Sequence, residues 1–206
     1  MIRKINDLAF RLYYKILCNI TLFITWVKFK VNNVTIEGDF IARGTPVMRI
    51  SLSGRMIIGS GFQMNSGVMH NTIGRPQRCS FVVGENACLS IGNNVGISST
   101  AIVCKLSVVI ESDVRIGAGV VIYDTDFHSL KYDERTVTPE IKDHVRHKAV
   151  VIKKGAFIGG HSTILKGVTI GEKSIIGAGS VVSKSVPPNE IWAGNPARFV
   201  KALKMD

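Results

Sequence analysis

Cysteine is sparse and unpatterned. Cys18, Cys79, Cys88 and Cys104 form no CxxC pair and no dense disulfide spacing. A stapled secreted scaffold and a thiolate-held metal are therefore not indicated, and reduced thiols in a cytoplasmic protein are expected. Acidic residues are few, 15 Asp+Glu against 26 Lys+Arg, and the resulting net charge of +11 suits a polyanionic partner. That partner could be an anionic membrane surface, a phosphate-rich small molecule or nucleic acid. Nucleic acid is disfavoured, because no cationic run exceeds two residues and the aromatic-rich RNA-binding pattern is missing. Long hydrophobic runs are missing too. The longest uncharged stretch near the N-terminus, Ile16 to Val27, has 12 residues, whereas a bilayer span needs about 20. Arg11 and Lys15 interrupt any signal-peptide core, and no small-residue cleavage site follows.

What is present is a period of six. Ile152, Ile158, Ile164, Ile170, Ile176 and Val182 recur without a slip. Small or aliphatic residues follow four places on, at Ala156, Ser162, Val168, Ser174, Ser180 and Val186. This spacing fits neither a helix of 3.6 residues per turn nor one alternating strand. It fits a short strand and a tight corner, repeated, with three hexads to a triangular turn of a parallel β-helix. The same register is read earlier at Ile91, Ile97 and Val103, then after a seven-residue step at Ile110, Ile116 and Ile122. It is ragged at Ile58, Met64 and Val83. A β-sandwich with evenly spaced strands has no reason to keep hexad phase for so long.

Two segments stand outside the repeat. Over 5–29, Ile5, Leu8, Leu12, Ile16, Ile20, Phe23 and Val27 recur at three- and four-residue steps, which predicts an amphipathic helix. Such a helix either caps the open end of the solenoid or lies in a membrane interface with Trp26 at headgroup level. Residues 1–33 are accordingly read as an N-terminal helical segment and 34–203 as the β-helix domain. Residues 123–148 abandon the hexad for a polar stretch dense in charge and histidine, which predicts an inserted functional loop. After Val186 the repeat stops at Pro187-Pro188, and the segment 191–201 is expected to lead into a short C-terminal helix.

The hexads, Gly-Gly-His-Ser-Thr-Ile-Leu-Lys-Gly-Val-Thr-Ile-Gly (159–171), Ile-Gly-Ala-Gly-Ser-Val-Val-Ser-Lys (176–184) and Ala-Gly-Asn-Pro-Ala-Arg (193–198) resemble the hexapeptide-repeat acyltransferases. The sugar O-acetyltransferase branch, with maltose and galactoside acetyltransferases and enzymes that decorate capsule or lipopolysaccharide, is the nearest in pattern. The resemblance covers roughly 83–203. It implies an all-β, left-handed parallel β-helix, a homotrimer, and acetyl-CoA as cosubstrate in a groove between adjacent subunits. Three features depart from it: Phe157 stands where tryptophan is common, the N-terminal segment is an apolar helix, and the loop at 129–147 differs in composition.

On that resemblance His128 is the general base, since a neutral imidazole accepts a hydroxyl proton and later returns one to a leaving thiolate. Asp126 or Asp124 would orient its ring. The family's CoA-contacting positions fall on Gly160, Ala178, Ser183 and Lys184, and its phosphate-contacting positions on Arg198 and Lys201. The Gly160 N–H is a candidate oxyanion donor. Asn93 and Ser98 are acceptor-binding candidates by position only. No metal is expected: His144 and His147, three apart, read as a solvated loop, His161 as structural or groove-lining, and His70 as uninformative.

The reading is therefore an acetyl-CoA-dependent O-acetyltransferase with a saccharide acceptor, cytoplasmic or peripheral at the inner face of the membrane through residues 5–29. N-acetylation of an amino sugar, serine or xenobiotic acetylation, and a non-enzymatic metal-binding scaffold are the competing readings.

Overall fold

Each aliphatic residue that heads a hexad between 152 and 182 is buried in the interior. The computed structural model describes residues 2–74 and 76–204. Short strands wrap into three parallel sheets of six, eight and six strands, so the chain forms a triangular prism of six turns. The first sheet stacks Ile58, Ile91, Ile110, Ile152 and Ile170 in one column. The second stacks Met64, Ile97, Ile116, Ile158 and Ile176. The third stacks Phe81, Ile102, Ile122, Ile164 and Val182. Each interior contact is thus a like-on-like step along the ladder, about 4.8 Å apart.

The small positions serve the corners. Ser162 and Ser180 donate hydroxyl hydrogen bonds to the carbonyls of Gly159 and Gly177 at 2.8 and 2.6 Å. At Gly159 the coils approach so closely that a Cβ would stand 2.5 Å from the Ala178 nitrogen. The earlier register differs from expectation by one residue. Ile102, not Val103, faces inward, because Ser99 turns the corner with a φ of 42° and the strand starts one residue sooner. The raggedness before it has a second cause: the chain leaves the prism over 66–79. That excursion is tied back by Asn71 and Gln77, whose amides donate to the Ser99 hydroxyl and carbonyl.

The expected insertion is present. The third sheet stops at Tyr123 and the first resumes at Val150, still in register. A Thr125–His147 bridge and a Lys148 N–H to Asp124 carbonyl bond of 2.9 Å close the loop's neck.

The C-terminus corrects the sequence reading. The segment expected to lead into a short helix forms an antiparallel hairpin on the second sheet, Glu190–Ala193 with Arg198–Ala202; residues 203–204 carry no helix, and 205–206 lie outside the described residues. Gly194, at φ 99°, makes the turn, and the returning strand pairs with a sheet edge that would otherwise present bare N–H and C=O groups.

The N-terminal helix α1 runs from Ile2 to Val31, longer than the expected 5–29. By length and composition alone it is sufficient to cross a membrane, which the 12-residue uncharged run did not suggest. Its last turns nonetheless dock on the first coil. Phe29 enters the core against Phe40, and Thr25 and Lys28 donate to the carbonyls of Gly44 and Pro46.

Burial holds the Cys79 and Cys104 thiols neutral, pushing each up to about 12, with the Asp124 carboxylate adding to the effect at Cys104. Raised values favour the folded state below the ordinary 9.0 and lose that contribution as pH climbs towards 12. Urea unfolding followed against pH should show stability declining as pH rises above about 9. A flat profile to pH 11 would mean that these thiols are hydrated.

Candidate active site

Three of the five histidines lie in the loop that interrupts the prism. At its start Asp124 is fully buried, and its carboxylate accepts the backbone N–H groups of Lys105, Leu106 and Ser107 at 2.7, 2.7 and 2.9 Å. The Thr125 hydroxyl accepts the Phe127 N–H, and Phe127 adopts a φ of 64°, a strained conformation for a bulky residue. Tyr123 supports the Phe127 ring edge-on, with centroids 5.0 Å apart. This turn throws the next side chain, His128, outward to 62% exposure.

The His128 ring is held by Glu140. Its Nδ1 lies 3.0 and 2.9 Å from the two carboxylate oxygens, and the glutamate is only 16% exposed. The imidazole hydrogen bond holds the Glu140 carboxyl below its usual range. The pair is therefore intact above about pH 4.5, and its contribution is lost only as pH falls through the lowered value.

The orienting role expected of an aspartate needs correction. Asp124 is consumed by three backbone donors, and Asp126 pairs with Lys166 at 2.8 Å, so neither meets the His128 ring. The other Asp126 oxygen is buried with no partner among the described residues. Glu134 organises the remainder of the loop, accepting from Ser129 at 2.6 Å, Lys131 at 2.8 Å and His144 at 2.7 Å. Lys131, then Ser129, hold its carboxyl down to about 2. His144 is thus directed at Glu134 while His147 bridges to Thr125, and no three metal-ligating side chains gather among the described residues.

His128 opens into a cavity of about 380 Å³ lined also by Lys105, Thr125, Phe127, Lys142, Val145 and His147. Lys105 and His147 also line a second hollow, of about 560 Å³, that includes Arg49 and Ser51 at the end of the first coil. An imidazole hydrogen-bonded through Nδ1, with no partner on its second nitrogen among the described residues and lysines in the lining of its cleft, is equipped to take a proton from a ligand beside it.

The other expected residues divide between edges of the prism. Ser183 and Lys184 follow the strand Val181–Val182, so they share the edge from which the His128 loop departs. Gly160 and Ala178 lie on the edge between the second and third sheets, at the other end of the short third-sheet strands. The Gly160 N–H donates to no carbonyl among the described residues, and the Gly160 carbonyl accepts from Gly179 at 2.8 Å. The neighbouring His161 ring covers Gly119. Arg198 and Lys201 are exposed on the closing hairpin. Asn93 accepts the Ser60 N–H at 2.9 Å and stands on the edge between the first and second sheets. Ser98 ends a second-sheet strand. One protomer brings neither of them to His128. Glu140 and Lys105 were missed from the sequence, since neither carries a spacing signal.

The repeat matches the bacterial transferase hexapeptide model (six repeats) over residues 149–184. The chain is 34% identical to the galactoside O-acetyltransferase of Escherichia coli (strain K12) over 130 residues, covering 59% of this chain and 63% of that one. It is 29% identical to an Escherichia coli (strain K12) protein named for lipopolysaccharide biosynthesis O-acetyl transfer, covering 72% of each. A Vibrio cholerae O1 biovar eltor hexapeptide-repeat acetyltransferase, crystallised with acetyl coenzyme A, superposes with a TM-score of 0.54 at 29% identity, over 70% of this chain and 72% of that one. Against a Staphylococcus aureus (strain COL) protein named as an acetyltransferase, 40% identical over 77 residues, the match spans 39% of that protein's length. The inward-stacked hexads and these matches make the chain similar to the hexapeptide-repeat transferases in its repeat and in its parallel β-helix fold, over part of its length.

Proposed function

We propose that the protein transfers acetyl from acetyl-CoA to a hydroxyl of a saccharide, a capsule or lipopolysaccharide unit or a related glycan precursor. The observation that carries this reading is the His128–Glu140 pair, because an alcohol becomes a competent nucleophile only as its proton leaves. Glu140 accepts the Nδ1–H and so leaves the Nε2 lone pair facing the cleft. Nε2 removes the hydroxyl proton as the oxygen attacks the thioester carbonyl. The resulting oxyanion is met by a backbone N–H, for which Gly160 is our candidate. Collapse breaks the C–S bond, and the departing thiolate takes its proton from Nε2, which leaves an ester, free CoA and a neutral ring.

The reading needs more than one copy. His128, Ser183 and Lys184 occupy one edge of the prism and Gly160 and Ala178 another. A homotrimer that sets one edge beside the other edge of the next copy brings both sets to one groove. Arg198 and Lys201 would then meet the CoA phosphates, and the Lys105–Arg49 side of the cleft favours an anionic acceptor. The four free thiols suit a reducing, cytoplasmic setting.

The test is thiol release from acetyl-CoA against neutral and acidic sugars, amino sugars, serine and chloramphenicol. Sugar-dependent release supports the proposal; release only with an amino sugar, serine or chloramphenicol overturns the acceptor class. Glu140→Gln should lower kcat by about ten- to a hundredfold with KM for acetyl-CoA unchanged, since a neutral amide no longer fixes the tautomer. Unaltered kcat would remove Glu140 from the account.

A further inference from the structure

We propose that the free face of α1 docks on an anionic lipid bilayer, with the helix lying flat in the headgroup region. This proposal is independent of the acetyl-transfer reading. One side of the helix is committed to the protein: Thr21, Thr25 and Phe29, four residues apart, are buried on the first coil. At 100° per residue the opposite side carries Ile5, Leu12, Ile16, Ile20, Phe23 and Val27. These six are between 37% and 64% exposed, over about 33 Å of helix at 1.5 Å per residue. Phe23 edges a hollow shared with Gly38, Asp39 and Phe40, and none of the six is buried.

Charge identifies the occupant. The helix holds six cations (Arg3, Lys4, Arg11, Lys15, Lys28, Lys30) and one carboxylate, Asp7, which Arg11 pairs at 2.9 Å. Arg3, Lys4, Arg11 and Lys15 lie on the side turned away from the apolar one, Lys28 is committed to the Pro46 carbonyl, and Lys30 sits at the apolar border. Trp26 stands at the same border with the Lys30 ammonium 6.0 Å from its ring centroid. A wide apolar face backed by a cationic polar side, with an indole and Lys30 at its edge, is the pattern of an interfacial helix. A transmembrane orientation would pull Thr25 and Phe29 from the first coil and carry Arg11 and Lys15 towards the bilayer centre. A coiled-coil seam with another copy would be narrower, an a/d stripe, whereas Leu12 on one flank and Ile24 on the other broaden this face.

The experiment is flotation of the full-length protein with vesicles of phosphatidylcholine alone and of phosphatidylcholine mixed with phosphatidylglycerol. The wild-type protein should float with the anionic vesicles and far less with the neutral ones. Ile16→Asp/Ile20→Asp/Phe23→Asp should cut anionic-vesicle binding about a hundredfold or more, with thermal unfolding unchanged because these side chains support nothing in the prism. Lys4→Glu/Lys15→Glu should abolish the preference for anionic over neutral lipid. Wild-type protein that floats with neither vesicle, or a triple variant that floats like wild type, overturns the proposal. So does a triple variant whose only change is a smaller sedimenting species, which would assign the face to contact between copies.

Discussion

His128→Ala should reduce kcat for acetyl transfer by about a thousandfold, within the range of a lost general base, while acetyl-CoA binding stays within about twofold of wild type. The size of the effect follows from the chemistry. Without Nε2 the hydroxyl must shed its proton to water as it attacks, and the departing thiolate has no positioned donor. Binding is spared because the ring acts on the reacting hydroxyl and thiolate, whereas the pantetheine arm and phosphates are held by other groups. Single-turnover thiol release with saturating acceptor separates the two effects. A variant with unchanged kcat would mean that a different group takes the proton, and a variant that loses CoA affinity would mean that the ring is a binding contact.

Asp124→Ala should lower folding stability by about 3 kcal/mol, or a melting temperature by about 10 °C. Its carboxylate accepts three consecutive N–H groups, those of Lys105, Leu106 and Ser107, and it is fully buried at the neck of the loop. Charge-assisted bonds of this kind contribute about 1.5–3 kcal/mol each but are not additive. Asp124→Asn, which keeps the oxygen acceptor and loses the charge, should recover about half of the loss. Differential scanning calorimetry of both variants decides it. A melting temperature equal to wild type for Asp124→Ala would assign the corner's stability to the β-ladder alone.

The aspartate also illustrates where sequence reading succeeds and where it stops. The inward columns from Ile152 to Val182 were legible because a β-helix repeats one local solution, so period reports geometry directly. The interruption at 123–148 was legible for the same reason, as a loss of phase. Inside the loop no period exists. Asp124 and Asp126 neighbour His128 in sequence, yet the Phe127 turn points the ring away from both, and its partner Glu140 lies twelve residues further on. The one-residue error at Val103 arose at the Ser99 corner, where a change of strand start flips inside to outside. The strand Arg198–Ala202, in a segment expected only to lead into a helix, is not legible in the sequence, because its pattern says nothing about the open sheet edge that captures it.

The measurement that bears most directly on the central claim is complementation between two variants expected to be inactive, mixed so that the proposed trimer assembles from both. His128→Ala removes the base from one edge, and Ala178→Trp obstructs the other edge at an exposed position where the fold tolerates bulk. If each site joins the His128 edge of one copy to the Gly160 edge of the next, an equal mixture should recover about a quarter of wild-type thiol release, because one site in four then pairs two intact edges. Recovery no greater than that of the separate variants would place the whole site within a single copy and contradict the account.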